Sequence, residues 1–467
     1  MAVFRRAART VFRFEPQRAA RHRLKCGHPA RRGGKAVVAA AMAWHKTGAM
    51  PTSLPERWRS VATLATTPPF RDFLAGRVLA ATGVWVFRIT TGWMVWSLTR
   101  SPAMLGVATF LLLAPQMILS PFSGVIADRR DRRAVLVWSH AASAAVKLMV
   151  GAFALAGMLT IELLLPLLVL VGSVGALSQA SNKTIVAALV VEDDLATAVS
   201  LNSVVFNLAG FIGPAIGGAV IALAGPAWGF LLSSALAAAF VLSLRNIPAL
   251  PPEDRSSRRS MFIDLGEALK TAASDPLLRP LLALHMASAT LARPFLEFVP
   301  AIVGQGFRGG APEVAMMTSV VGIGSVVGGL WLAQRDNSVG MLPVVLGAMV
   351  SLGVALIALA WVPYFWMALV LAFVAGFGMI TRAAAIQSMV QMEAPAGMRG
   401  RIISFYGLIL NGGSIVGALA IGLVAELTGI SVALTLSVLA ALVVWARLRP
   451  VLTKAVAERQ ALRAGGA

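Results

Sequence analysis

The apolar residues of this chain come in blocks of about 20, the length that carries a helix across the hydrocarbon core of a bilayer. The blocks occupy residues 72–98, 103–126, 134–157, 160–185, 198–223 and 226–245, then 277–303, 312–334, 341–362, 364–388, 402–427 and 429–447. A transmembrane β-barrel would instead give short segments of alternating polarity. The pattern therefore predicts an all-α membrane protein with twelve transmembrane helices in two six-helix bundles, over residues 70–245 and 276–448. Between the two sets lies "RNIPALPPEDRSSRR", Pro-rich and charged, which reads as a linker over 246–275. Its second part, "MFIDLGEALKTAAS", places Met261, Phe262, Leu265 and Leu269 near one helical face. That suits a helix on the membrane surface and equally an ordinary loop helix.

Composition agrees with the blocks. The chain has 467 residues, 58% hydrophobic and 13% charged, against roughly 25% charged in a soluble globular protein. Its net charge of +21 has two sources. Residues 1–49 hold 12 Lys and Arg against one acid, Glu15. Most of the rest lies in short loops on one side, where the positive-inside rule puts both termini and the linker in the cytoplasm. The location expected is the cell (inner or plasma) membrane. No basic patch interleaves with aromatics on a soluble domain, so nucleic acid is not an expected partner. The single cysteine, Cys26, has no partner for an internal disulfide, and no metal site or cofactor is expected. Residues 1–60 carry no continuous apolar run before a cleavage site, so they are not a secretory signal. A disordered cytoplasmic tail, an upstream extension before Met50, and an Arg-rich but Ser-poor transit peptide stand as readings. Residues 449–467 read as a second cytoplasmic tail. Most tryptophans, among them Trp96, Trp138 and Trp366, fall near block ends, as interfacial anchors do; Trp85 sits inside the first block.

The halves look like weak copies. A shift of 204 lays "FNLAGFIGPAIGG" (206–218) over "LNGGSIVGALAIG" (410–422), matching Gly213 with Gly417; a shift of 205 brings Arg88 onto Arg293. Near-equal offsets in separate places point to pseudo-symmetric duplication. Parallel repeats of this kind are a transporter architecture, with a substrate site near mid-membrane between the repeats.

One stretch stands out against this apolar background. "GVIADRRDRRAVL", Gly124 to Leu136, packs two aspartates and four arginines between blocks 2 and 3. The arginines fit a topology determinant; the aspartates do not. The stretch resembles the cytoplasmic loop signature of the major facilitator superfamily, with Gly124, Asp128, Arg129, Arg132 and Arg133 matching and Asp131 standing where the signature has a second glycine. Over residues 70–448, this loop together with "LNSVVFNLAGFIGPAIGG", "ARPFLEFVP" and "MRGRIISFYG" is similar to an enterobactin-exporter-like branch. The resemblance implies a conformational gate. Asp128 would face the N-terminus of block 11, gaining from the helix dipole, and Arg132 or Arg133 would hydrogen-bond a carboxylate or carbonyls nearby. In block 5, Gly210, Gly213, Pro214, Gly217 and Gly218 suit close helix packing. Gly213, Pro214, Gly217 and Gly218 also resemble the signature of drug/proton antiporters, though Ala209 departs from it.

Ionisable residues inside a bilayer usually face a cavity. Arg88 with Trp85 in block 1, and Arg293 and Glu297 in block 7, are the candidates for a substrate and proton pathway. Arg293 and Glu297 are four apart and can pair on one helical face, either as structure or lining a basic cavity with Glu297 as the proton-coupling carboxylate. Lys183 and Arg382 fall near block ends, where long side chains snorkel to headgroups. No G-x-x-x-x-G-K-[ST] occurs for ATP drive, and no cluster of nucleophiles suggests an enzyme. The expected function is a monomeric secondary transporter. It would export a small molecule, drug-like or anionic and siderophore-like, by proton antiport with alternating access. Uptake or exchange of an anionic metabolite is the alternative. The expected partners are substrate, protons and the lipid bilayer.

Overall fold

The computed structural model describes Leu64 and residues 67–250, 261–335, 340–395 and 397–465. The basic tail expected over 1–60, Cys26 included, lies outside the described residues. Thirteen helices organise the described chain. The first six are α1 (Pro68–Thr99), α2 (Pro102–Arg129), α3 (Arg132–Leu155), α4 (Ile161–Leu189), α5 (Leu195–Ala224) and α6 (Pro226–Ser243). The linker helix is α7 (Met261–Ser274). The second set is α8 (Leu278–Leu291), α9 (Ala311–Ala333), α10 (Met341–Trp361), α11 (Phe365–Glu393), α12 (Arg399–Thr428) and α13 (Ile430–Gly465). Twelve helical spans among the described residues are long and apolar enough to cross a membrane, and no described residue forms a strand.

Local chemistry sets the ends of these helices. Pro68, Pro102, Pro226 and Pro312 sit in first turns, where a missing N–H is not needed. Ser101 caps α2 by accepting from the Met104 amide at 3.2 Å. Gly225 ends α5 at φ 93° and Gly429 ends α12 at φ 84°, a backbone region open to glycine alone without strain. These two glycines stand 204 positions apart, so the duplication read from the motifs extends to backbone conformation. Arg100 and Arg308, at φ 53° and 51°, close the first span of each half in the same left-handed turn.

Three expectations change. The seventh span is not one helix. After α8 it passes through a 3₁₀ turn (Arg293–Phe298), a short α segment (Val299–Ala301) and a π turn (Ile302–Gly306). Pro294 and Pro300 lack the amides that a continuous ladder needs. The last helix does not stop near 447 but runs on to Gly465, with Leu452 and Ala455 buried. On α7, Ala268 and Ala272 pack inward while Leu269 is exposed; the side chains of Met261, Phe262 and Leu265 lie outside those described.

The end of the molecule that carries residues 67 and 465 is called the near end. The buried apolar core is continuous between the bundles toward the far end, where Ile89 and Trp96 share a cluster with Val299, Ala301 and Val314. Toward the near end it splits in two. One cluster draws only on residues 64–250 (Phe70, Leu136, Phe240), the other only on residues 268–455 (Leu281, Ile386, Ile402). The two bundles therefore close on each other at the far end.

Candidate functional site

The far-end closure is built on small residues. In α5, Gly213 and Gly217 face α1: a Cβ on Gly213 would lie 2.5 Å from Trp85 Cβ, and one on Gly217 2.6 Å from Ile89 Cγ2. Gly210 faces the Trp85 ring at 3.3 Å. Gly218 points the other way, across to the second bundle, where a Cβ would lie 1.7 Å from Ala315 Cβ on α9. The glycine run thus serves two faces. On the opposite side of the bundle axis, a Cβ on Gly106 of α2 would approach the Ala418 carbonyl of α12 to 2.6 Å. Glu426, near the end of α12, then reaches the first turn of α2: Ser101 Oγ donates to it at 2.6 Å and the Ala103 amide at 3.1 Å. A carboxylate on a helix N-terminus is favoured by the macrodipole. Trp96, expected at a headgroup boundary, is instead buried against Gly304 of the seventh span.

Beneath this closure, a cleft of about 480 Å³, counted out to its open mouth, lies between the bundles. Trp85, Arg88, Pro214 and Gly92 line it from the first bundle, and Glu297, Pro300 and Thr318 from the second. Arg88 and Glu297 form an ion pair across the bundles, with Arg88 Nε also donating to Glu297 Oε2 at 3.3 Å. The Arg88 guanidinium lies 5.4 Å from the Trp85 ring centre, within cation–π range. The Trp85 indole N–H is buried and has no hydrogen-bond partner. The cleft therefore sets a paired cation and anion beside an indole ring on mostly apolar walls.

Arg293 does not pair with Glu297 and does not line the cleft. In a 3₁₀ turn, residues four apart point about 120° away from each other instead of sharing a face. Arg293 Nη1 donates to Ser414 Oγ on α12 at 2.7 Å, inside the second bundle. Arg382, expected to snorkel, is fully buried.

At the near end, Gly124, Asp128 and Arg129 lie on the last turns of α2, and their side chains fall outside those described. Arg132 and Arg133 open α3. The Arg133 side chain donates to the Leu244 carbonyl at 2.9 Å and to that of Arg245 at 3.2 Å. Asp131 is the N-cap of α3: its Oδ1 accepts from the Arg133 amide at 2.8 Å, the Ala134 amide at 3.3 Å and the Leu250 amide at 3.3 Å. The residue that departs from the loop signature thus caps a helix and holds the start of the linker. Asp131→Ala should lower stability by about 1 kcal/mol, read as a reduced unfolding midpoint in detergent, and Asp131→Asn should recover most of it. An unchanged midpoint in the alanine variant would count against the cap.

Sequence reasoning missed Thr318 and Pro300 in the cleft, and the Glu426 contact. Pro300 was visible within "ARPFLEFVP"; nothing local marks Thr318 or Glu426 as facing the other half.

Comparison with known proteins now decides the family. The family model described as transmembrane secretion effector, of the major facilitator superfamily, matches residues 60–463. The chain belongs to this family. Among curated relatives, the enterobactin exporter EntS of Citrobacter koseri is 24% identical over 374 residues, covering 78% of this chain and 86% of the relative. EntS of Salmonella typhimurium is 25% identical over 369 residues, covering 78% and 87%. Among solved structures, a bacterial homologue of the lysosomal transporter Spinster, inward-facing and unoccupied, aligns with TM-score 0.67 and 14% identity over 86% of this chain and 99% of that one. The nucleoside transporter NupG aligns with TM-score 0.64 and 14% identity over 81% and 98%. The chain is therefore a multi-pass membrane transporter of the major facilitator superfamily, homologous to the enterobactin exporter and not an enzyme.

Proposed function

We propose that the protein works as a single chain, with both termini in the cytoplasm, and exports a small molecule in exchange for protons. The observation that carries this reading is the Arg88–Glu297 ion pair, which joins the two bundles inside the cleft beside Trp85. Proton coupling needs a centre whose charge state differs between loaded and unloaded forms, and a paired charge in an apolar cleft supplies one. The far-end contacts of Gly218, Gly106 and Glu426 act as the outer gate. The loop around Asp128 acts as the inner one.

Charge balance fixes which substrates give which coupling. An uncompensated charge in an apolar cleft is costly. A substrate that offers an acceptor to Arg88 and a donor to Glu297, as the neighbouring oxygens of a catechol do, needs Glu297 ionised. Substrate and proton then exclude each other, which is antiport. A simple anion takes Arg88 and leaves Glu297 to be neutralised by a proton. Substrate and proton then bind together, the sign of uptake by symport. The similarity to enterobactin exporters favours the first case; the pairing of a single cation with a single carboxylate allows the second for simple anions.

Everted vesicles test this directly. A catechol-bearing substrate should accumulate in the lumen when the lumen is acidified, with the pH gradient dissipating as it does so. Collapsing the gradient should stop accumulation. Transport that ignores the gradient, or runs outward from an acid lumen, overturns the antiport reading.

A further inference from the structure

Among the described residues, the second bundle holds a group of buried hydrogen-bond donors that the transport cleft does not use. Arg382 on α11 has no measurable exposure, and none of its three guanidinium nitrogens has a hydrogen-bond partner. His285 on α8 is equally buried, and neither ring nitrogen makes a hydrogen bond of good geometry, the Tyr406 backbone lying close by. Ser288, one turn further along α8, buries its hydroxyl without a partner as well. Tyr406 of α12 fixes the group in place. Its ring stacks on His285 at 3.9 Å and 13°, and its hydroxyl donates to the Ala383 carbonyl, next to Arg382, at 2.8 Å.

The charges around Arg382 make matters worse for it, not better. The charged neighbour that faces it is Arg293, a second cation. The described carboxylates nearest in this half are engaged elsewhere. Asp275 and Glu393 are held by Arg459, and Glu267 by Arg401, all at the near end. Glu297, within the seventh span, is held by Arg88. A guanidinium sealed in an apolar bundle with neither counter-charge nor hydrogen bonds is strongly disfavoured. The chain itself supplies donors here and no described acid.

We propose that Arg382, His285 and Ser288 form an anion-binding site inside the second bundle, taking one small monovalent anion. A guanidinium, an imidazole and a hydroxyl can together give an anion several short donor contacts, and hydrogen bonds to charged groups are the strong ones. The anion comes either as a free halide or as the carboxylate of an organic molecule. The site is separate from the Arg88–Glu297 cleft and stands whether or not that cleft couples to protons.

The test uses the purified full chain, titrated with sodium chloride or with sodium acetate, ionic strength being held constant with morpholinoethanesulfonate, a bulkier anion that carries no carboxylate. The unfolding midpoint should rise saturably with at least one of the two small anions, since a ligand that binds only the folded state stabilises it. Radiolabelled chloride or acetate should bind near one per chain. A response to chloride assigns a free halide; a response to acetate alone assigns a carboxylate. Arg382→Gln should abolish the response. Ser288→Ala, a small change that keeps the cation, should weaken the anion by about three- to tenfold, which covers the case in which the arginine variant does not fold. A midpoint indifferent to both anions in the wild type, or an unaltered response in Ser288→Ala together with Arg382→Gln, overturns the proposal and leaves buried water as the partner of Arg382.

Discussion

Gly218→Val is expected to stop transport in a protein that still folds and inserts. The Gly218 position is where α5 meets α9 across the two bundles, and a Cβ there would stand 1.7 Å from Ala315 Cβ. Carbon atoms in good contact are about 3.5–4.0 Å apart, so the helices must separate by roughly 2 Å at the far end. Overpacking of this kind costs about 1–3 kcal/mol. Here the cost falls on the closed far-end state alone, because the two faces part when that end opens. The closed population should fall by about tenfold to a hundredfold, and initial flux in proteoliposomes with it. Size-exclusion profile and helix content should stay as in the wild type. Adding Ala315→Gly removes the colliding methyl but leaves the Cα of residue 315 2.9 Å from the new Cβ, so flux should recover in part. Wild-type transport in Gly218→Val, or no recovery in the double variant, would falsify the gate. Glu426→Ala, by contrast, should have a small effect, because its contact with Ser101 is exposed and such contacts contribute little.

The contrast between Gly218 and Glu426 also marks what the sequence could and could not disclose. The twelve spans were legible because a bilayer admits few solutions: every backbone polar group must be satisfied within the span, so block length and spacing alone specify the helices. The glycine run was legible as packing, but not its division between α1 and α9, which depends on how the bundles meet. Arg88 and Glu297 were picked out as intramembrane charges, yet Glu297 was given the wrong partner. Local spacing favoured Arg293, four residues away; Pro294 turned the backbone into a 3₁₀ segment, and the true partner lies 209 residues off. Arg382 was misplaced for a simpler reason. The block was read as ending near 388, whereas α11 continues to Glu393. That sets Arg382 about 16 Å from the helix end, beyond the reach of a snorkelling side chain. Asp131 looked like a defect in a signature and is a helix cap.

The Arg88–Glu297 pair should separate binding from coupling when its members are changed one at a time. Glu297→Gln keeps the shape of the cleft and the Arg88 and Trp85 contacts but removes the one carboxylate among the residues lining it. Gradient-driven accumulation should fall to background, while exchange of labelled for unlabelled substrate across the membrane, which moves no net proton, should continue at a reduced rate, because the glutamine carbonyl still accepts from the substrate in place of the carboxylate. Arg88→Gln removes the cation instead. Substrate affinity should weaken by about ten- to a hundredfold, the value of a hydrogen bond to a charged group, in exchange and accumulation alike. Each single change also strands a partner: breaking a buried pair from one side costs about 3–5 kcal/mol, and here somewhat less, because Arg88 keeps 22% of its side chain exposed. The double variant Arg88→Gln/Glu297→Gln should therefore unfold at a higher temperature than Arg88→Gln alone while transporting nothing against a gradient. If Glu297→Gln loses exchange together with accumulation while it still folds and inserts, Glu297 serves substrate binding alone and the proton must be carried elsewhere. If it loses neither, the ion pair is a strut between bundles, and the coupling read from its charge balance is wrong.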